Sequence, residues 1–367
     1  MGARWAEDSR QLAFLWNDKG GRFRDLWVYD PARRDGERRR LTDLEQPRDQ
    51  WTETPADKDP KLKKYLPPED GLGAFEWAQD SQKLAFAFRG ELYVVAADGS
   101  HWLRLTKTKD PEFRPRFSPD SRRLAFASEH ELWVLDLVSG QRIQLTSGGS
   151  DDLLNGAPPF PESDLRTFEW SPDGEWLAFI QIDRTGEPTR LIPNYSGTEV
   201  SVRKQRRTFA KDETPKLRLG VAPAAGGEVV WLTRAARQYY YDWKWSPDSS
   251  RLVINRVEEN WKRRQLDVVD VQKAVKEAGE AKGKGTAEDA EKKQEKEPEW
   301  VRTIYRESDE KWMCTLCAPV EWSPDGQQIL FLSERDGWNH LYLVSADSSP
   351  STLPLDSARG RLGALSA

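Results

Sequence analysis

The sequence predicts an all-β fold, a β-propeller of four-stranded antiparallel blades, and three observations predict it. A ten-residue string recurs six times, a second apolar string follows most copies, and the clean copies repeat at about 40 residues, the distance from Trp77 to Phe117.

The recurring string reads WAEDSRQLAF from Trp5, WAQDSQKLAF from Trp77, FSPDSRRLAF from Phe117, WSPDGEWLAF from Trp170, WSPDSSRLVI from Trp245 and WSPDGQQILF from Trp322. Each copy begins with an aromatic, places an acid and a Gly or Ser in a turn, and runs into an apolar strand. In the four copies with Pro-Asp the proline presets φ, and in all six the aspartate hydrogen-bonds the backbone just beyond it, so each copy is strand, tight turn, strand. DLWVYD from Asp25, ELYVVA from Glu91, ELWVLD from Glu131 and HLYLVS from His340 supply a third strand, apolar enough to pack between neighbours. RRLT, LRLT and IQLT supply a short fourth. A single blade cannot bury both faces, so blades must stack around an axis, and that requirement explains the repetition.

Six units follow, near residues 1–44, 75–107, 112–147, 166–233, 239–306 and 319–355, within a propeller over 1–355. The first has no obvious opening strand. The last loses its pattern after HLYLVSAD, leaving 348–367 as a degenerate tail. A propeller normally closes by joining its last blade to its first, which removes unpaired strand edges. No such joining strand is evident, so an incomplete ring is expected.

Composition narrows the function classes. The 56 Lys and Arg nearly balance the 61 Asp and Glu, for a net charge of −5, with neither the basic excess nor the basic stripe of a nucleic-acid binder. There is no run of 18 apolar residues to span a membrane, and the opening MGARWAEDSRQLAF lacks the apolar run of a signal peptide. Cys314 and Cys317 form one CxxC, half a zinc site at best, so no metal or other cofactor is expected.

Two insertions interrupt the repeat. Residues 272–298, almost free of large apolar groups, read as a charged, disordered insertion in the fifth unit. Residues 182–221 read as an insertion in the fourth, where the strand pattern gives way to Pro, Asn, Gly and a basic run before KLRLGV restores it. An excursion of about 30 residues within a compact blade implies a task such as a binding loop or contact arm.

The string IDRTGEPTRLIPNYSGTEV, the following KLRLGV, the preceding FEWSPDGEWLAF and the later SERDGWNHLYLVSADS resemble the N-terminal β-propeller of the dipeptidyl peptidase IV group, in the prolyl oligopeptidase class of serine peptidases. The resemblance extends to about Asp347. It implies an eight-bladed propeller capping an α/β-hydrolase domain that removes dipeptides from peptide N-termini, so about six of eight blades are present. It implies a peptide substrate whose free α-amine is held by two adjacent propeller glutamates. The matching stretch here is GAPPFPESDLRTFEW, where Pro161, Glu162 and Ser163 align with the family's Pro-Glu-Glu. Glu162 is then the candidate amine anchor, with Asp164 as a partial substitute for the missing second carboxylate. The insertion corresponds to a dimerisation arm, making Pro193, Asn194 and Tyr195 candidate contacts of a homodimer, with Leu191 to Arg207 expected to project.

No catalytic residue is expected in this chain. A hydrolase of this class carries its nucleophile in a Gly-x-Ser-x-Gly elbow, and no serine here has glycines two positions to either side. His101, His130 and His340 each fall beside or within blade strands. Two readings follow: the propeller part of a dipeptidyl peptidase-type enzyme separated from its hydrolase domain, or a stand-alone interaction scaffold of the TolB-like or WD-repeat-like kind.

Overall fold

The blade-forming strings fold as their alternation dictates, each strand pairing antiparallel with the next. The computed structural model describes residues 2–44, 71–158, 166–281, 298–313 and 319–348, apart from 22, 34–35, 196–199, 210 and 336. Six successive sheets make a β-propeller arrangement. The first contains Arg4–Trp5, Leu12–Trp16, Asp25–Asp30 and Glu37–Arg40. The second contains Glu76–Trp77, Lys83–Phe88, Glu91–Ala96 and Trp102–Arg104, and the third Glu112–Phe117, Arg123–Ser128, Glu131–Asp136 and Arg142–Gln144. The fifth contains Gln238–Trp245, Arg251–Glu258, Arg263–Asp270 and Val301–Ser308. In the sixth, Val320–Trp322, Gln328–Ser333 and His340–Ser345 are the strands among the described residues.

The turns stitch the blades together. The residue after the turn aspartate takes the left-handed conformation, with φ of 58 to 61° at Ser9, Ser81, Ser121 and Ser249 and 73° and 68° at Gly174 and Gly326. Where it is serine, the hydroxyl receives a backbone N–H from the preceding blade: Asp8 to Ser81, Asp80 to Ser121 and Asp173 to Ser249, at 3.0–3.1 Å. Where it is glycine, an arginine of the preceding blade bonds its carbonyl, Arg123 to Gly174 at 2.8 Å and Arg251 to Gly326 at 2.6 Å. The opening tryptophans add a further tie. The Nε1 groups of Trp77, Trp170 and Trp322 donate to the carbonyls of Arg4, Arg116 and Lys244 in the preceding blade, at 3.0–3.1 Å. The core is continuous between neighbours: one cluster joins the first two blades, another the third to fifth, and another the fifth and sixth.

Three expectations change. The opening strand of the first blade exists, as Arg4–Trp5 paired to Ala13 and Leu12. It is only two residues long, too short to leave an alternation in the sequence. Leu153–Asn155, outside the fourth unit as first bounded, is a strand of the fourth sheet. Part of the charged insertion is ordered: Val271–Ala281 is an α-helix (α1). The Asp270 carboxylate accepts the Lys273 N–H at 2.8 Å, capping its first turn. Val271, Ala274 and Val275 form a stripe at i, i+3 and i+4 that packs against the core joining the third to fifth blades. The composition of the segment hid this three-residue stripe. Residues 282–297 and 349–367 lie outside the described residues.

Candidate functional site on the fourth blade

The fourth sheet departs from the pattern where the sequence placed its candidate residues. Its central strand, Trp176–Asp183, carries two short strands on one edge: Phe168–Trp170, and Leu153–Asn155 beyond it. Between them the chain leaves the sheet at Gly156 and returns at Thr167. Both feet rest on one residue, the Gly156 N–H donating to the Ile180 carbonyl at 3.0 Å and the Ile180 N–H donating to the Thr167 carbonyl at 2.8 Å. Gly156 has φ +67°, and an added Cβ would lie 3.3 Å from Leu132 Cβ, so the departure point needs glycine. Glu162 and Asp164 belong to this excursion, but they and the rest of 159–165 lie outside the described residues, as do Cys314 and Cys317.

A buried polar chain fixes the first foot. Asn155 is 1% exposed. Its Nδ2 donates to Glu131 Oε2 at 3.0 Å, and its Oδ1 accepts from Gln181 Nε2 at 2.7 Å. Gln181 Oε1 accepts from Arg218 Nε at 2.6 Å, and that guanidinium lies 3.5 Å over the Trp231 ring centre. Burial pushes the Arg218 pKa down from its ordinary value, and the ring face and the Gln181 oxygen offset part of the cost of holding the charge there. The sequence reading passed over Asn155 and Gln181. The signal available was a polar pair, one in LLNG and one interrupting the apolar run LAFIQI.

The insertion forms a two-stranded hairpin, Thr189–Asn194 with Ser201–Arg206, whose strands pair with each other and, among the described residues, with no blade strand. Leu191, Tyr195, Val200 and Val202 are 59–73% exposed, and Pro193 is exposed as well. Of Asn194 the structure describes the backbone, paired with Ser201. The base of the hairpin is knitted to the blade. Arg206 Nη1 donates to the Asp151 carbonyl at 2.8 Å and to Asp152 Oδ1 at 2.6 Å, and Arg184 Nε donates to Glu187 Oε2 at 2.7 Å. Asp151 and Asp152 immediately precede Leu153, so hairpin and excursion share a foundation.

The three histidines are apart. His101 Nδ1 lies 2.8 Å from the Ser100 hydroxyl in the second blade, His130 Nε2 lies 3.5 Å from Asp151, and His340 opens a strand of the sixth blade. No group of three metal-ligating side chains is found among the described residues, and no helix among them is long and apolar enough to cross a membrane.

The family model described as the dipeptidyl peptidase IV (DPP IV) N-terminal region matches residues 105–356, from the end of the second blade through the sixth. The chain belongs to the dipeptidyl peptidase IV N-terminal region family. Its relatives include a probable dipeptidyl peptidase 4 of Neosartorya fischeri, 26% identical over 218 residues covering 54% of this chain and 26% of that protein. The dipeptidyl peptidase 4 of Trichophyton rubrum is 33% identical over 66 residues, covering 17% of this chain and 8% of that protein. The chain thus spans about a quarter of the first relative's length. Among solved structures, Porphyromonas gingivalis dipeptidyl peptidase 4 aligns with TM-score 0.63 and 15% identity, over 93% of this chain and 44% of its own. A putative dipeptidyl aminopeptidase IV from Bacteroides ovatus aligns with TM-score 0.55 and 16% identity, over 93% of this chain and 42% of its own. These two likenesses establish the fold that the family's N-terminal region takes here.

Proposed function

We propose that this chain is the substrate-recognition and gating propeller of a dipeptidyl peptidase IV-like serine peptidase, acting with an α/β-hydrolase domain that supplies the nucleophile and its base. The observation that supports this reading is the excursion held at both feet by Ile180, in the stretch that carries Glu162 and Asp164. A peptide ammonium leaving water needs a carboxylate to offset its desolvation, and this stretch of the sequence supplies two candidates. Such an anchor admits only peptides with a free N-terminus and sets how many residues reach the scissile bond. In the same reading, the hairpin with exposed Leu191, Tyr195 and Val202 is the contact arm of a homodimer, with Pro193 and Asn194 beside them.

Calorimetric titration of the chain with Ala-Pro and with acetyl-Ala-Pro tests the recognition role. The free-amine dipeptide should bind at least about tenfold more tightly, and Glu162→Gln should abolish the difference. Equal binding of both dipeptides would remove the amine-anchor role and leave an interaction scaffold.

A further inference from the structure

Each of the first three blades opens its third strand with a buried acid, Asp25, Glu91 or Glu131, beside the threonine that ends its fourth strand. The residue two before that threonine is Arg40, Arg104 or Gln144, and in all three blades its side chain donates to the threonine carbonyl at 2.8 Å. In the first two blades the guanidinium also neutralises the acid. Arg40 Nη2 donates to Asp25 Oδ2 at 2.5 Å, and Arg104 Nη2 lies 2.9 Å from Glu91 Oε1. Gln144 carries no charge, so in the third blade this position supplies no ion pair to Glu131.

All three acids accept an N–H just past the threonine, from Leu44, Thr108 and Gly149. What differs is the group that stands in for the arginine. A buried carboxylate needs donors, and Glu131 Oε2 takes Asn155 Nδ2 at 3.0 Å. The Asn155 N–H donates to the His130 carbonyl at 2.7 Å, so side chain and backbone of Asn155 are tied to one turn of the third blade. The intervening chain is drawn in close: a Cβ at Gly149 would lie 2.7 Å from Glu131 Oε1 and from the His130 carbonyl oxygen, so that approach requires glycine. Gly156, the residue after Asn155, is where the chain leaves the fourth sheet toward Glu162 and Asp164.

We propose, on the recognition reading of the fourth-blade excursion, that Glu131 is a positioning residue for it: with glutamine in the arginine position, its carboxylate is left to hold Asn155, one residue before the chain departs. The third blade thereby gives up an in-blade ion pair and fixes the first foot of the neighbouring blade's loop.

Two variants test this, read by hydrogen exchange on peptides spanning 147–157, by thermal denaturation and by Ala-Pro titration. Gln144→Arg restores the arginine of the first two blades on an exposed position and draws the Glu131 carboxylate away from Asn155. It should leave the melting temperature at or above that of the parent, while exchange in 147–157 speeds up and Ala-Pro binding weakens, each at least about tenfold. Glu131→Gln, which turns an amide donor toward two donors, should loosen the same peptides and leave 83–96 in the second blade as in the parent. Unchanged exchange of 147–157 in Glu131→Gln would overturn the proposal. So would loosening that extends equally to 83–96, or a loss of stability in Gln144→Arg that accounts for its faster exchange, because either makes Glu131 an ordinary structural carboxylate. A parent chain that binds no Ala-Pro would remove the recognition reading instead, and the exchange data would still report whether Glu131 holds the foot of the loop.

Discussion

The Thr146 hydroxyl donates to the Glu131 carboxylate at 2.5 Å while accepting the Leu132 backbone N–H at 2.9 Å, locking the end of the third blade's last strand to its neighbour. The first blade repeats the lock with Thr42 and Asp25 at 2.8 Å, and Thr42 accepts the Leu26 N–H at 2.9 Å. Thr106 and Thr233 accept the N–H groups of Leu92 and Leu219 in the same way. The Leu-Thr ending of the last strand in the first four blades is therefore a side-chain closure for strands of two to four residues.

Thr146→Val removes both hydrogen bonds at nearly constant volume and leaves a buried carboxylate and N–H short of partners. It should destabilise the chain by about 1–3 kcal/mol, whereas Thr146→Ser should keep most of the stability. Urea denaturation followed by tryptophan fluorescence reads both.

The left-handed serines set two effects against each other. Ser121 holds φ of 59°, a conformation that costs a side-chain-bearing residue about 1 kcal/mol, and its hydroxyl takes the Asp80 N–H. Ser121→Ala loses the bond and keeps the strain, so it should cost about 1 kcal/mol. Ser121→Gly loses the bond and the strain together, and should fall within about 0.5 kcal/mol of the parent. Thermal denaturation of the two variants side by side separates the effects; equal destabilisation would show that strain plays no part.

Acidity offers a third test. Burial pushes the Glu112 carboxyl up to about 7, against the pull of its hydrogen bond to Thr106 and of Arg142 at 3.0 Å. A carboxyl whose folded pKa lies above its unfolded value binds more protons folded than unfolded between those values. Its contribution is complete below about pH 4.5 and declines as pH rises toward 7. Stability should thus fall across that window, by an amount on the order of a few kcal/mol, and Glu112→Gln should flatten the fall. Urea midpoints at intervals from pH 4.5 to 8 measure it; an unchanged slope in the variant would place the origin in another group.

The repeat was legible because its period, turn chemistry and apolar strands all imposed the same architecture. The two-residue strand at Arg4–Trp5 was too short to show an alternation, and the helical stripe of Val271, Ala274 and Val275 was masked by the charged residues around it. The fourth-blade loop was located through GAPPFPESDLRT, but not what holds it. Asn155 and Gln181 are 26 residues apart and meet only because their strands pair, a juxtaposition that composition and spacing do not encode.

Asn155 separates the foundation of the loop from the general stability of the propeller. Its amide bonds Glu131 and Gln181 and, at 3.4 Å, the Ser147 carbonyl, so Asn155→Ala leaves buried partners short and should cost about 2–3 kcal/mol. Ser121→Ala, in a turn of the third blade away from this chain of hydrogen bonds, supplies the comparison. At a temperature where both variants are fully folded, Ala-Pro titration should weaken at least about tenfold in Asn155→Ala and stay unchanged in Ser121→Ala. If the two bind alike, the excursion keeps its shape without Asn155, and the pair of hydrogen bonds on Ile180 is sufficient to position it.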